Sequence, residues 1–210
     1  MTTSVFWASD GEQYAGFWSR FGAQILDAFI ALPFVALRLV LFRTRLAESF
    51  AFVPLLLFEF WFSVYLVYRY GGTPGKLIMG IRITSTNGEP LSFRQAVLRD
   101  SPSLVLGAVG AISIAIALSQ VSDATFEATS WIGRPRLLAA FMPHWNHYVS
   151  IVAQVWTWSE LVVMLTNPER RALHDFLAGT IVIKREYLAA GDDPSLLPSS
   201  PDLANAILKP

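Results

Sequence analysis

Arg20, Gln24 and Asp27 recur at i, i+4 and i+7, a spacing that sets all three on one face of a helix. The run that holds them, Phe17 to Phe42, is otherwise almost wholly apolar apart from Arg38. An ionisable group inside such a run costs about 2.5–3.5 kcal/mol on insertion scales, so each one needs a physical reason. At a rise of about 1.5 Å per residue, Asp27 lies roughly 10 Å deeper than Arg20. That leaves the arginine at the interface and the aspartate near mid-membrane. Glu59 falls halfway along a second apolar run and Glu160 near the end of a fourth. Burial raises a carboxylate's pKa and a neighbouring cation lowers it. A carboxylate poised between those pulls can exchange a proton for a metal cation, so Asp27 and Glu59 are the ion- or proton-coupling candidates. The competing chemistry is structural, with the same carboxylates hydrogen-bonding helix to helix. Arg20 reads as an anchor or counter-ion, and Gln24, Glu160, Lys76, Arg171 and His174 are secondary candidates.

Other chemistries find little footing. There is no His-Glu-x-x-His, no Gly-x-Ser-x-Gly and no cysteine, so neither a catalytic residue nor a cofactor is expected, and the protein is not read as an enzyme. His144-x2-His147 lacks a third ligand and reads as two interfacial histidines rather than a metal pair. Gly71-Gly72-Thr73-Pro74-Gly75-Lys76 is glycine-rich but misses the spacing of a phosphate-binding loop. His174 and Asp175 are adjacent in sequence, and adjacent residues do not face each other on a helix. A net charge of zero gives no reason to expect nucleic acid.

The elements that must position these residues follow from composition. The 210 residues are 53% hydrophobic and only 15% charged, against about 25% charged in soluble domains. Runs of about 20 apolar residues suffice to cross a bilayer core of about 30 Å. Four qualify, at about 17–42, 49–68, 101–121 and 148–166, with Pro33 and Pro54 inside the first two. The fold class expected is therefore all-α: four transmembrane helices with a small cytoplasmic β/loop cap. Residues 1–16 form a cytoplasmic N-terminus without the basic region of a signal peptide, 17–186 the membrane domain and 187–210 a flexible tail. Ten Lys and Arg residues flank one side (Arg69, Lys76, Arg82, Arg94, Arg99, Arg170, Arg171, Lys184, Arg185, Lys209) against four on the other (Arg43, Arg45, Arg134, Arg136). The positive-inside rule then places both termini in the cytoplasm of an inner (plasma) membrane. Trp7, Trp18, Tyr68, Trp145 and Tyr148 mark an aromatic belt.

The cap is legible in turns and short strands. Ile81 and Ile83 alternate with Arg82 and Thr84, Asn87-Gly88 signals a turn, and Ser92 with Gln95 forms a capping box. The helix it starts is expected to run along the membrane surface to Pro102, where the third span begins. Thr180 to Lys184 reads as a second strand, expected to pair with the first because a lone strand leaves its backbone unpaired. Between the third and fourth spans, Arg134-Pro135-Arg136 is expected to break the chain.

Three blocks resemble the RDD family of membrane proteins: Gly16-Phe17-Trp18-Ser19-Arg20-Phe21 with Leu26-Asp27, Gly72 to Ile83 with Gly88 and Leu91-Ser92-Phe93, and Arg170 to Thr180. The resemblance implies that Arg20, Asp27 and Asp175 are the motif arginine and aspartates. It also implies one of two roles: cation/proton antiport, proposed for some members, or service as an accessory subunit of a membrane complex. Four spans exceed a simple two-span core. The leading expectation is a proton-coupled monovalent cation transporter in the lipid bilayer, acting as a homo-oligomer or with a partner membrane subunit. The rival is a non-transporting scaffold. Arg20 and Asp175 share one predicted depth, so they are expected to pair.

Overall fold

The computed structural model describes residues 11–41 and 43–189. Trp7, Lys209 and the tail from 190 onward lie outside the described residues. Among the described residues, four helices are long and apolar enough to cross a membrane. The first, α1 (Phe17–Leu41), contains Pro33. The second begins as α2 (Arg45–Glu59), passes without a break through a π turn (Phe60–Tyr65) and continues as α3 (Leu66–Tyr70). Gly71 ends it in the left-handed conformation, φ 77°, which glycine adopts without steric cost. A single turn of helix, α4 (Pro74–Ile78), then lies against α1.

The third spanning helix departs from expectation. It is one continuous helix, α5 (Phe93–Gln120), with Pro102 inside it rather than at its start. Proline removes an N–H and crowds the carbonyl four residues back. That carbonyl belongs to Leu98, and the Ser101 hydroxyl donates to it at 2.8 Å. Membrane helices tolerate proline by this kind of compensation. The Ser92–Gln95 capping box starts the helix as expected.

Beyond α5, the short helices α6 (Asp123–Ala128) and α7 (Arg134–Ala139) form the distal cap. Arg134-Pro135-Arg136 begins α7 instead of breaking the chain, because proline's fixed φ suits the first helical turn. The fourth spanning helix is α8 (Trp145–Thr166), followed by α9 (Leu173–Ala178). His144 and His147 sit exposed at the start of α8.

The two strands pair. β1 (Ile81–Ser85) runs antiparallel to β2 (Thr180–Lys184), with Ile83 opposite Val182, and Tyr14 bridges to Ile183. A final turn, α10 (Arg185–Ala189), packs Tyr187 and Leu188 inward, so the tail expected from 187 is anchored at its first residues. The main core joins this sheet to the helices through Ala15, Ala23, Val64, Val67, Ile81, Ile83 and Val182. A second core, including Leu118, Phe126 and Leu138, closes the distal end. Between the two, Phe29, Leu57, Val105, Val155 and Trp158 point outward, and only 6% of the apolar window of α8 is buried within the chain. Such a surface suits hydrocarbon rather than water.

Candidate functional site

Asp175 is the best-connected side chain at the cap end. It lies in the first turn of α9, fully buried, and accepts five hydrogen bonds. Arg20 Nη1 donates to Oδ2 at 2.9 Å, and Arg99 donates to Oδ1 through Nε at 3.0 Å and Nη2 at 2.9 Å. The Ala172 N–H and the Thr180 hydroxyl complete the set. Burial pushes such a carboxyl up, yet the Arg99 guanidinium, His174 and Arg20 together hold Asp175 well below the usual carboxylate range. Arg20 is equally committed, donating also to the carbonyls of Ala15 and, at 2.6 Å, Arg170. Arg171 donates to the Asp175 carbonyl and lies over the Phe176 ring. The expected Arg20–Asp175 pair is thus present, joined by Arg99, which was read from the sequence only as a basic loop residue. The cluster ties α1, α5, α9 and β2 together.

His174 extends it to α8. Its Nε2 lies 2.7 Å from Arg99 Nη2 and its Nδ1 2.6 Å from Glu160 Oε1. Although neighbours in sequence, His174 and Asp175 approach within 3.6 Å, because both turn toward Arg99. Burial pushes the His174 imidazole below its ordinary value, and the Arg99 charge adds to that.

Asp27 serves a different joint. It accepts from the Thr73 hydroxyl at 2.5 Å and the Gly75 N–H at 2.7 Å, capping α4 from across α1. Gly75 is required for the approach: a Cβ there would collide with the Ala23 carbonyl and sit 2.8 Å from the Asp27 carboxyl carbon. Arg20 and Asp27 therefore divide their helical face between α9 and α4. Gln24 instead lines a cleft of about 340 Å³ between α1 and α8, with Phe21, Trp158, Glu160 and His174.

Glu59 is placed apart from Asp27. It ends α2 directly before the π turn, accepts from Ser63 at 2.9 Å and lines a groove of about 560 Å³ between α1, α2 and α5. The opposite wall is cut from small residues, including Ser103, Gly107, Gly110 and Ala111. Glu59 acts electrostatically on Asp100, one turn before Ser103 on α5. Asp100 is a residue that the sequence reading passed over. Its Oδ2 is buried without a hydrogen-bond partner, and among the described residues its carboxylate has neither a hydrogen bond nor an ion pair. Lys76 likewise has no direct partner among the described residues, but its charge acts with those of Asp27, Asp175 and Asp100. The one available signal was periodicity: Asp100, Ser103, Gly107 and Gly110 recur at three- and four-residue steps once the helix is continued through Pro102.

A family model described as the RDD family matches residues 14–179. The chain belongs to the RDD family. It is thereby a membrane protein, in keeping with its four apolar helices. Arg20, Asp27 and Asp175, the residues that the resemblance implies as motif positions, hold junctions between this RDD chain's helices. Comparison with curated proteins and with solved structures returns no match.

Proposed function

We propose that this RDD protein exchanges monovalent cations for protons, with Asp100 and Glu59 as the carboxylates that bind either ion. The observation that carries the reading is the Asp100 carboxylate on the spanning helix α5, which has neither a hydrogen bond nor an ion pair among the described residues and on which the Glu59 charge of α2 acts. Ionisable groups in spanning helices are costly and mark ion or proton pathways when no structural bond accounts for them. Two carboxylates that act on one another repel when both are charged, and a bound cation relieves that repulsion as a proton would. The Lys76 charge acts on Asp100 in the opposite sense to that of Glu59. The π turn beside Glu59 adds support, since such turns gather at functional sites.

Asp27 belongs to the framework on this reading. Its two short bonds to Thr73 and Gly75 serve helix capping rather than ion exchange. The membrane is a bacterial-type inner membrane, with the β-sheet cap in the cytoplasm. The lateral groove is closed by a second copy or a partner membrane subunit, since four helices enclose little interior for a pathway.

One observation favours a scaffold instead: every family motif residue is spent on internal bonds. Proteoliposomes separate the two roles. With a pH-sensitive dye inside, an imposed Na⁺ or K⁺ gradient should drive proton flux in wild type, and Asp100→Asn and Glu59→Gln should abolish it while remaining folded. Absence of flux with either cation in correctly folded wild type would favour the scaffold.

A further inference from the structure

His174 is held from both sides by groups whose hydrogen-bonding roles are fixed by chemistry. A guanidinium only donates, so the Nε2 that meets Arg99 Nη2 at 2.7 Å carries a lone pair. A carboxylate only accepts, so the Nδ1 that meets Glu160 Oε1 at 2.6 Å carries the hydrogen. The imidazole is therefore neutral and in its Nδ1–H tautomer. Its bond to Glu160 is also the one side-chain hydrogen bond by which the body of α8 reaches another helix, among the described residues. Helix α8 otherwise packs chiefly against α5 and α9.

We propose that His174 is a proton-binding site that loosens α5 from α9 and from the end of α8 bonded to it. A proton added at Nε2 turns the Arg99 contact into one between two donors and two cations, and the contact breaks. The new N–H faces Asp175 Oδ1 at 3.6 Å, an acceptor that Arg99 and Thr180 already share. Four charged groups face the ring: Arg99 from α5, Glu160 from α8, Asp175 on α9, and Arg20 from α1, which lines the same cleft. Glu160 and Asp175 favour the imidazolium, whereas burial and Arg99 oppose it and prevail. The cleft between α1 and α8 gives the proton its route, since His174 lies in its lining. This assignment stands apart from the exchange reaction at Asp100 and Glu59, and its test needs no flux.

The experiment is nitrogen NMR of the imidazole in nanodiscs, in a protein carrying His144→Gln and His147→Gln so that His174 is the single histidine. At pH 8 the ring should be Nδ1–H, and its midpoint should fall below the ordinary value of about 6.5. Glu160→Gln should lower that midpoint further, and Arg99→Gln should raise it. If Arg99→Gln fails to fold, the sign of the Glu160→Gln shift decides. Hydrogen exchange reads the loosening. Protection in α9 and the adjoining turns of α5 should fall about tenfold for each unit by which the midpoint is depressed, as pH drops from the ordinary value of about 6.5 to that midpoint, and His174→Gln should remove that response. An Nε2–H ring at pH 8, a midpoint at or above 6.5, or protection unchanged through the titration would overturn the assignment.

Discussion

Removing the Asp175 carboxylate tests the framework most severely. The side chain is fully buried between two guanidiniums, whose own side chains are only 11% (Arg20) and 9% (Arg99) exposed. Asp175→Ala strands both cations and frees the Ala172 N–H and Thr180 hydroxyl. Breaking a buried pair by deleting one partner costs about 3–5 kcal/mol. In a domain of this size that corresponds to a fall of about 6–20 °C in Tm. Arg20→Ala should cost less, about 1.5–3 kcal/mol, because Arg99 still neutralises the aspartate. The double variant should cost no more than Asp175→Ala alone, since deleting Arg20 also deletes an unpaired charge. The shortfall from additivity is then at least about 1.5 kcal/mol, within the range for directly bonded residues. Thermal or denaturant unfolding in detergent, followed by intrinsic tryptophan fluorescence, measures all three variants. Effects that add within about 0.5 kcal/mol would refute the reasoning, because additivity to that degree marks residues that do not touch.

Three further outcomes follow from the same geometry. Gly75→Ala should separate α4 from α1 and destabilise the protein by more than Asp27→Asn. An asparagine can still accept from Gly75 and donate to Thr73 Oγ, as thermal scans of the two variants would show. Asp175 has a depressed folded pKa, so its stabilisation is full above the ordinary carboxyl value of about 4 and is lost as pH falls toward the folded value. The slope of stability against pH below about 4 should therefore flatten in Asp175→Asn, measured by denaturant unfolding. A single cysteine at Thr86, exposed after β1, should react with a membrane-impermeant maleimide only when the cytoplasmic face is accessible. Labelling from outside in intact cells would reverse the topology.

Much of the architecture was legible because it rests on periodicity and local turn chemistry. The four apolar runs, the Ser92–Gln95 box, the paired strands and the Arg20–Asp175 junction all follow from spacing, composition or motif. The placement of Arg99 and Asp100 was not, for a specific reason. Taking Pro102 as a helix start placed Arg99 and Asp100 on the membrane surface, where charges need no explanation. The Ser101 hydroxyl, by satisfying the Leu98 carbonyl, lets the helix run on and carries both residues into the bundle. Asp27 illustrates the opposite limit. Its depth was evident from sequence, but its role depends on a one-turn helix supplied from 48 residues away. The alternation that places Glu59 on the groove, rather than beside Asp27, depends on packing that no local pattern encodes.

The proposed exchange requires that a cation displace a proton at the carboxylates of Asp100 and Glu59. Infrared difference spectroscopy of the protein in lipid, before and after Na⁺ or K⁺ is added at constant pH, measures this without a transport assay. The account predicts loss of a protonated-carboxyl band with gain of carboxylate absorption, absent in Asp100→Asn and retained in Asp27→Asn. An unchanged spectrum in wild type with both cations, or a signal that survives Asp100→Asn and vanishes in Asp27→Asn, would contradict it.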